Sequence, residues 1–139
     1  MLVALIRFVF GFVAAVLAAG AVQVAFVAGG DLLRGTYAGS LDSLGLLVLL
    51  AATQSAVFSA PFAILAAMFA GWRPTRSVLY FVTIGLVIAT AGFFAQYAGE
   101  AGPATILNRY ALAAYLASGF AGGLTYWYVA VPKKRASDA

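Results

Sequence analysis

Residues 44–70 read LGLLVLLAATQSAVFSAPFAILAAMFA, and no charged side chain interrupts them. An α-helix rises about 1.5 Å per residue, so about 20 apolar residues cross the hydrocarbon core of a bilayer. This stretch exceeds that length, enough for a helix that tilts or bends. Pro61 sits inside it. Proline lacks an N–H, so the carbonyl of Val57 loses its usual partner and a bend is expected there.

Three further stretches of the same kind lie on either side, at about 8–28, 78–98 and 110–131. The expected fold is therefore all-α: a polytopic membrane protein, a four-transmembrane-helix bundle forming one domain over residues 1–139. Composition agrees. The chain is 65% hydrophobic and 9% charged, with a mean hydropathy of +1.03, where soluble domains average roughly 45–50% apolar and about 25% charged. A water-soluble fold this small could not hide so much apolar surface.

Between the spans, Gly29 and Gly30 are expected to close the first helix. Asp31 to Ser43, with Arg34, Gly35, Tyr37 and Gly39, reads as a polar loop. Trp72 to Arg76 reads as a tight turn, Gly99 to Pro103 begins the third connection, and Pro132 to Ala139 forms a tail. No linker is long enough to separate domains.

Orientation follows from the basic residues. Arg7, Arg73, Arg76, Lys133, Lys134 and Arg135 fall on one side, and Arg34 and Arg109 on the other. The positive-inside bias puts the first group, and both termini, in the cytoplasm (N-in/C-in). Trp72, Tyr80, Tyr126, Trp127 and Tyr128 flank that face, and Tyr97 and Tyr110 the opposite one. A cleaved signal peptide is the rival reading of the first span, but its apolar stretch outruns the 7–15 residues or so of such a segment. Abundant Ala and Gly, with Arg outnumbering Lys, point to a GC-rich bacterium and hence to its inner membrane. The pI near 9.7 reflects these topology signals, so no nucleic-acid partner is expected.

Small residues recur at helical spacing, and in lipid they let helix backbones approach closely. The fourth span shows this best: Gly119 and Gly123 form a GxxxG pair beside Ala114, Ser118 and Gly122. The plain reading is packing within the bundle; the sharper one makes this face a docking site for a partner. Polar residues inside the spans include Gln23, Thr53, Gln54, Ser55, Ser59, Gln96 and Ser118. Thr53, Gln54, Ser55, Ser59 and Pro61 gather near the expected midplane and form the candidate intramembrane polar site. Hydrogen bonding to a neighbouring helix is favoured over a polar cavity.

Several chemistries are excluded. The chain has no Cys and no His, so disulfides, iron–sulfur clusters, imidazole metal sites and Ser/His or Cys/His nucleophiles are impossible. Asp31, Asp42, Glu100 and Asp138 are the only acidic residues, all outside the spans, which argues against a proton relay at membrane depth. No Walker loop or dinucleotide fingerprint occurs. No catalytic, metal or cofactor site is expected.

Ala95-Gln96-Tyr97-Ala98, Tyr110-Ala111-Leu112 and Gly119-Phe120-Ala121-Gly122-Gly123-Leu124-Thr125-Tyr126-Trp127 resemble an uncharacterised group of small four-span inner-membrane proteins of alphaproteobacteria, of the rhizobial type. The resemblance implies four spans and a source but no functional residue. Small multidrug transporters carry an acidic residue in the first span, absent here. Fluoride channels share a glycine-rich, Phe- and Thr-bearing segment, but here it lies in the last span and no Asn falls within a span.

The leading expectation is a non-enzymatic inner-membrane protein, an accessory, assembly or structural component of a larger membrane complex. Its partners would be the lipid bilayer and other membrane subunits or further copies of itself. The rival is a small oligomeric transporter or channel with a polar path around the kinked second helix. A stress or lipid-handling role is a third.

Overall fold

A computed structural model describes residues 2–72, 76–97 and 109–131. Four helices account for almost all of them: α1 (Leu2–Arg34), α2 (Leu41–Trp72), α3 (Val78–Tyr97) and α4 (Arg109–Ala130). No strand occurs among the described residues. By length and composition α1, α2 and α3 are each able to cross a membrane, which marks the chain as a membrane protein. The helix α4 forms where expected but is less apolar, because Gly122, Gly123, Thr125 and four tyrosines dilute it. Among the described residues the structure thus supplies three long apolar helices where four apolar spans were expected.

The first connection departs from the sequence expectation. Gly29 and Gly30 do not end α1, and Asp31 to Arg34 are helical. Gly35 ends the helix instead, with a φ of 67°. Its N–H reaches Leu32 O at 3.2 Å, and the Thr36 N–H reaches Asp31 O at 2.9 Å. This is the Schellman arrangement, which needs a left-handed residue at its pivot. Glycine inside a helix costs only about 1 kcal/mol, so the pair at 29–30 is tolerated. The loop is correspondingly shorter than Asp31–Ser43, because Ser40 caps α2: the Ser43 N–H donates to Ser40 Oγ at 3.2 Å. The Tyr37 hydroxyl, 3.1 Å from Ser43 Oγ, ties the loop to this cap. The other connections and the tail, with Arg73, Lys133, Lys134 and Arg135, lie wholly or largely outside the described residues.

The helices run up, down, up and down. Gly11 of α1 abuts Ala130 and Tyr126 of α4, while the Phe26 and Tyr110 rings meet, tilted, at 5.5 Å near the other end. Phe81 pairs with Tyr126 at 5.4 Å and Phe93 with Tyr115 at 5.7 Å, so α3 is also antiparallel to α4. Consequently Leu2 and Val131 share one end of the bundle, with Arg7 and Arg76; Arg34 and Arg109 share the other.

In the interior, α4 lies between α1 and α3. The buried apolar residues are small or central: Ala28, Ala52, Val82, Ala89 and Phe93. Large side chains such as Leu50, Leu65, Phe69 and Val87 point outward. Lipid tails solvate Leu as well as protein does, so close backbone approach rather than apolar burial holds such helices together.

Candidate functional site

The second helix is fastened to the bundle mainly through α1. A Cβ at Gly20 would fall 2.8 Å from both Ala52 N and Val48 O, so the backbones touch there. Between α2 and α4, by contrast, no Cα pair among the described residues comes within 8 Å. Contact with α3 is sparse. The Tyr80 hydroxyl donates to Ala66 O at 3.2 Å, and higher up the Phe58 ring faces Gly92. A lateral groove remains between α2 and α3, backed by α1 and α4, with a volume of about 860 Å³.

Gln54, Ser55, Ser59 and Pro61 line this groove. Thr53 does not: it is exposed, and its Oγ1 donates to Leu49 O of its own helix at 2.7 Å. Among the described residues no side-chain hydrogen bond joins Gln54 or Ser55 to another helix. The Ser59 Oγ is buried without a partner. The α2 helix runs unbroken through Pro61.

The groove also collects polar residues from the other three helices, which sequence reasoning had not joined to the polar site of α2. Gln23 comes from α1, Gln96 from α3, and Tyr115 and Ser118 from α4. Gln23 and Gln96 were visible as intramembrane amides, but their convergence needs the packing of α1 and α3 against α4. Nothing in the sequence singles out Tyr115. Its hydroxyl donates to Gln96 Oε1 at 2.9 Å, and Ser118 Oγ donates to Tyr115 O at 2.7 Å. A hydroxyl donates to the oxygen of a carboxamide and not to its nitrogen, so the Gln96 NH₂ is left to donate elsewhere. No Asp, Glu, Lys or Arg lines the groove.

The polar groups are not evenly spread along the axis. Gln96 and Tyr115 belong to the half nearer Gly35, where Phe93, Tyr97 and Tyr115 cluster. Gln23 is at a similar height, three residues beyond Gly20, and Gln54 lies a step deeper, past Ala52. The opposite half is floored by Phe12, Phe81 and Tyr126, with Phe62 and Ala63 on the α2 wall. Such a site can hold an uncharged molecule by dispersion and a few hydrogen bonds.

The small-residue face of α4 meets helices of the same chain. Ser118, Gly122 and Gly123 are buried, and Ala114 is half-buried. A Cβ at Gly119 would meet Ala89 Cβ and Gly85 O, each at 2.5 Å; one at Gly123 would meet Phe81 O at 2.5 Å. Gly122 lies against Ala15 and Ala19 of α1. GxxxG here seats α3 and its neighbours show α1 on the other flank.

No protein-family model, no curated protein and no solved structure matches this chain.

Proposed function

We propose that the chain is a non-enzymatic protein of a bacterial inner membrane that crosses it four times, with both termini cytoplasmic, and serves as an accessory or structural component of a larger membrane complex. The observation that carries this reading is the reach of the α1–α2 hairpin. At 33 residues, α1 is about 50 Å long, against a hydrocarbon core of about 30 Å. The helix α4 begins beside Phe26, so Val27 to Arg34 extend beyond it towards the hairpin tip. Among the polar residues of that tip, apolar side chains stand open: Val27 is 80%, Leu33 92% and Leu41 83% exposed. Apolar side chains carried past the bilayer core gain most when another protein covers them.

Both ends of the described chain on one end of the bundle, with Arg7 and Arg76 there, support the proposed orientation. The position of α4 between two apolar helices makes a fourth crossing compatible with its lower apolarity. Mild-detergent extraction, native gels and mass spectrometry test the function: co-migration with other membrane subunits is expected, and recovery only as a monomer or homo-oligomer would refute it.

A second reading, a small oligomeric transporter or channel, is favoured by the convergence of Gln54, Ser55, Ser59 and Pro61 on the groove. Gln54→Leu should then change the flux of some solute, and unchanged flux across a broad panel would remove that reading.

A further inference from the structure

The groove has three properties that together define an occupant. It is long and mostly apolar, its three carboxamides gather towards one end, and none of its polar groups is charged. A volume of about 860 Å³ lies within the range of roughly 300–1,000 Å³ typical of small-molecule sites. It also opens sideways, because α2 stands clear of α4 and meets α3 at few points. In a bilayer such an opening faces acyl chains.

We propose that the groove binds one uncharged amphiphile, with a hydrogen-bond-accepting head (hydroxyl or carbonyl) against Gln23, Gln54 and Gln96 and a single acyl or prenyl chain laid down towards Phe12 and Phe81. An accepting head suits Gln96, whose oxygen takes the Tyr115 proton and whose NH₂ is left to donate. It must be neutral, because a charge placed among these residues would be desolvated with no counter-charge to meet it. The chain half offers aromatic and alanine walls with ample contact surface, free of carboxamides and of charge. This site rests on the membrane placement proposed above and is independent of whether the hairpin meets a partner protein.

The test uses the full chain in phosphatidylcholine nanodiscs and a monoacylglycerol bearing a diazirine near its chain end. Light should give saturable adducts on the groove floor, and unlabelled monoolein should compete at least ten-fold better than oleate or oleylamine. Gln96→Leu should weaken labelling about ten-fold, equivalent to about 1.4 kcal/mol. Ala63→Trp, which fills the groove, should abolish it. Val87→Ala, on the outward face of α3, should leave it unchanged. Adducts spread evenly over the outward faces, labelling that survives Ala63→Trp, or equal competition by oleate would each overturn the proposal. A helix of another protein cross-linked in the groove in place of the probe would do the same. Native mass spectrometry of the same preparation reads subunit association separately, so failure here and failure of the complex reading are distinct results.

Discussion

Replacing Gly119 by alanine should separate α3 from α4. The added methyl would stand 2.5 Å from Ala89 Cβ and 2.5 Å from Gly85 O, whereas carbons in contact rest about 3.5–4.0 Å apart. Neither obstacle is the end of a flexible side chain, so the helices themselves must part by about 1 Å. A gap of that size forfeits a quarter to a half of each contact's attraction along the seam, and overpacking of this kind costs about 1–3 kcal/mol. Alanine's better helix propensity returns about 0.5–1 kcal/mol, which leaves a net destabilisation centred on about 1 kcal/mol and reaching about 2.5. Gly29→Ala is the control, since nothing lies within 4 Å of its added methyl; it should be neutral or slightly stabilising. Unfolding in SDS-containing mixed micelles, followed by far-UV circular dichroism and tryptophan fluorescence, measures both. Trp127, whose indole N–H donates to Arg76 O at 2.9 Å, reports on the lower end of the same seam. Native stability for Gly119→Ala, or shifts of the same sign for both variants, would refute the reasoning. The double variant Gly85→Ala/Gly119→Ala should cost less than the sum of its parts, because one separation accommodates both methyls.

Other consequences are open to the same unfolding assay. Gly35→Ala should lose about 1–2 kcal/mol, because its φ of 67° is a left-handed conformation that a Cβ disfavours; Gly30→Ala, with open space around it, should not. Ser59→Ala removes a buried hydroxyl that has no partner and should be neutral or stabilising by up to about 1 kcal/mol, and a clear loss would show that the hydroxyl is bonded in the membrane. An alkaline phosphatase fused after Val131 should be inactive and one inserted at Gly39 active; the reverse pattern would overturn the proposed orientation.

The helices were legible from length and apolarity, because a lipid solvent imposes both on any spanning segment. Their ends were less so. Gly29 and Gly30 resemble a helix stop, but the decisive signal was Gly35 followed by Thr36, whose backbone bonds complete the cap. The apolarity that identifies α1 to α3 is weaker in α4, since the glycines and tyrosines that dilute it also form its contacts with α1 and α3. For the site, the α2 residues stood out as polar groups in an apolar run, and all but Thr53 line the groove. Thr53 is adjacent in sequence, but a helix turns each successive residue by about 100°, which carries it to the outer face. Gln23, Gln96 and Tyr115 join only through tertiary packing, which periodicity within one helix does not encode.

The arrangement on which the groove depends, with α4 between α1 and α3 and α2 standing apart, is tested most directly by disulfide trapping in native membranes. The chain has no cysteine of its own, so every cross-link is attributable to the engineered pair. A Cβ at Gly122 would lie 3.7 Å from Ala19 Cβ, within the span of about 3.5–4.5 Å that a disulfide bridges. The pair Ala19→Cys/Gly122→Cys should therefore cross-link readily on mild oxidation. The pair Ser59→Cys/Ser118→Cys should not, because α2 and α4 stay more than 8 Å apart between Cα atoms and a disulfide needs less than about 7 Å. Efficient trapping of the second pair, with failure of the first, would contradict the open bundle and the groove with it.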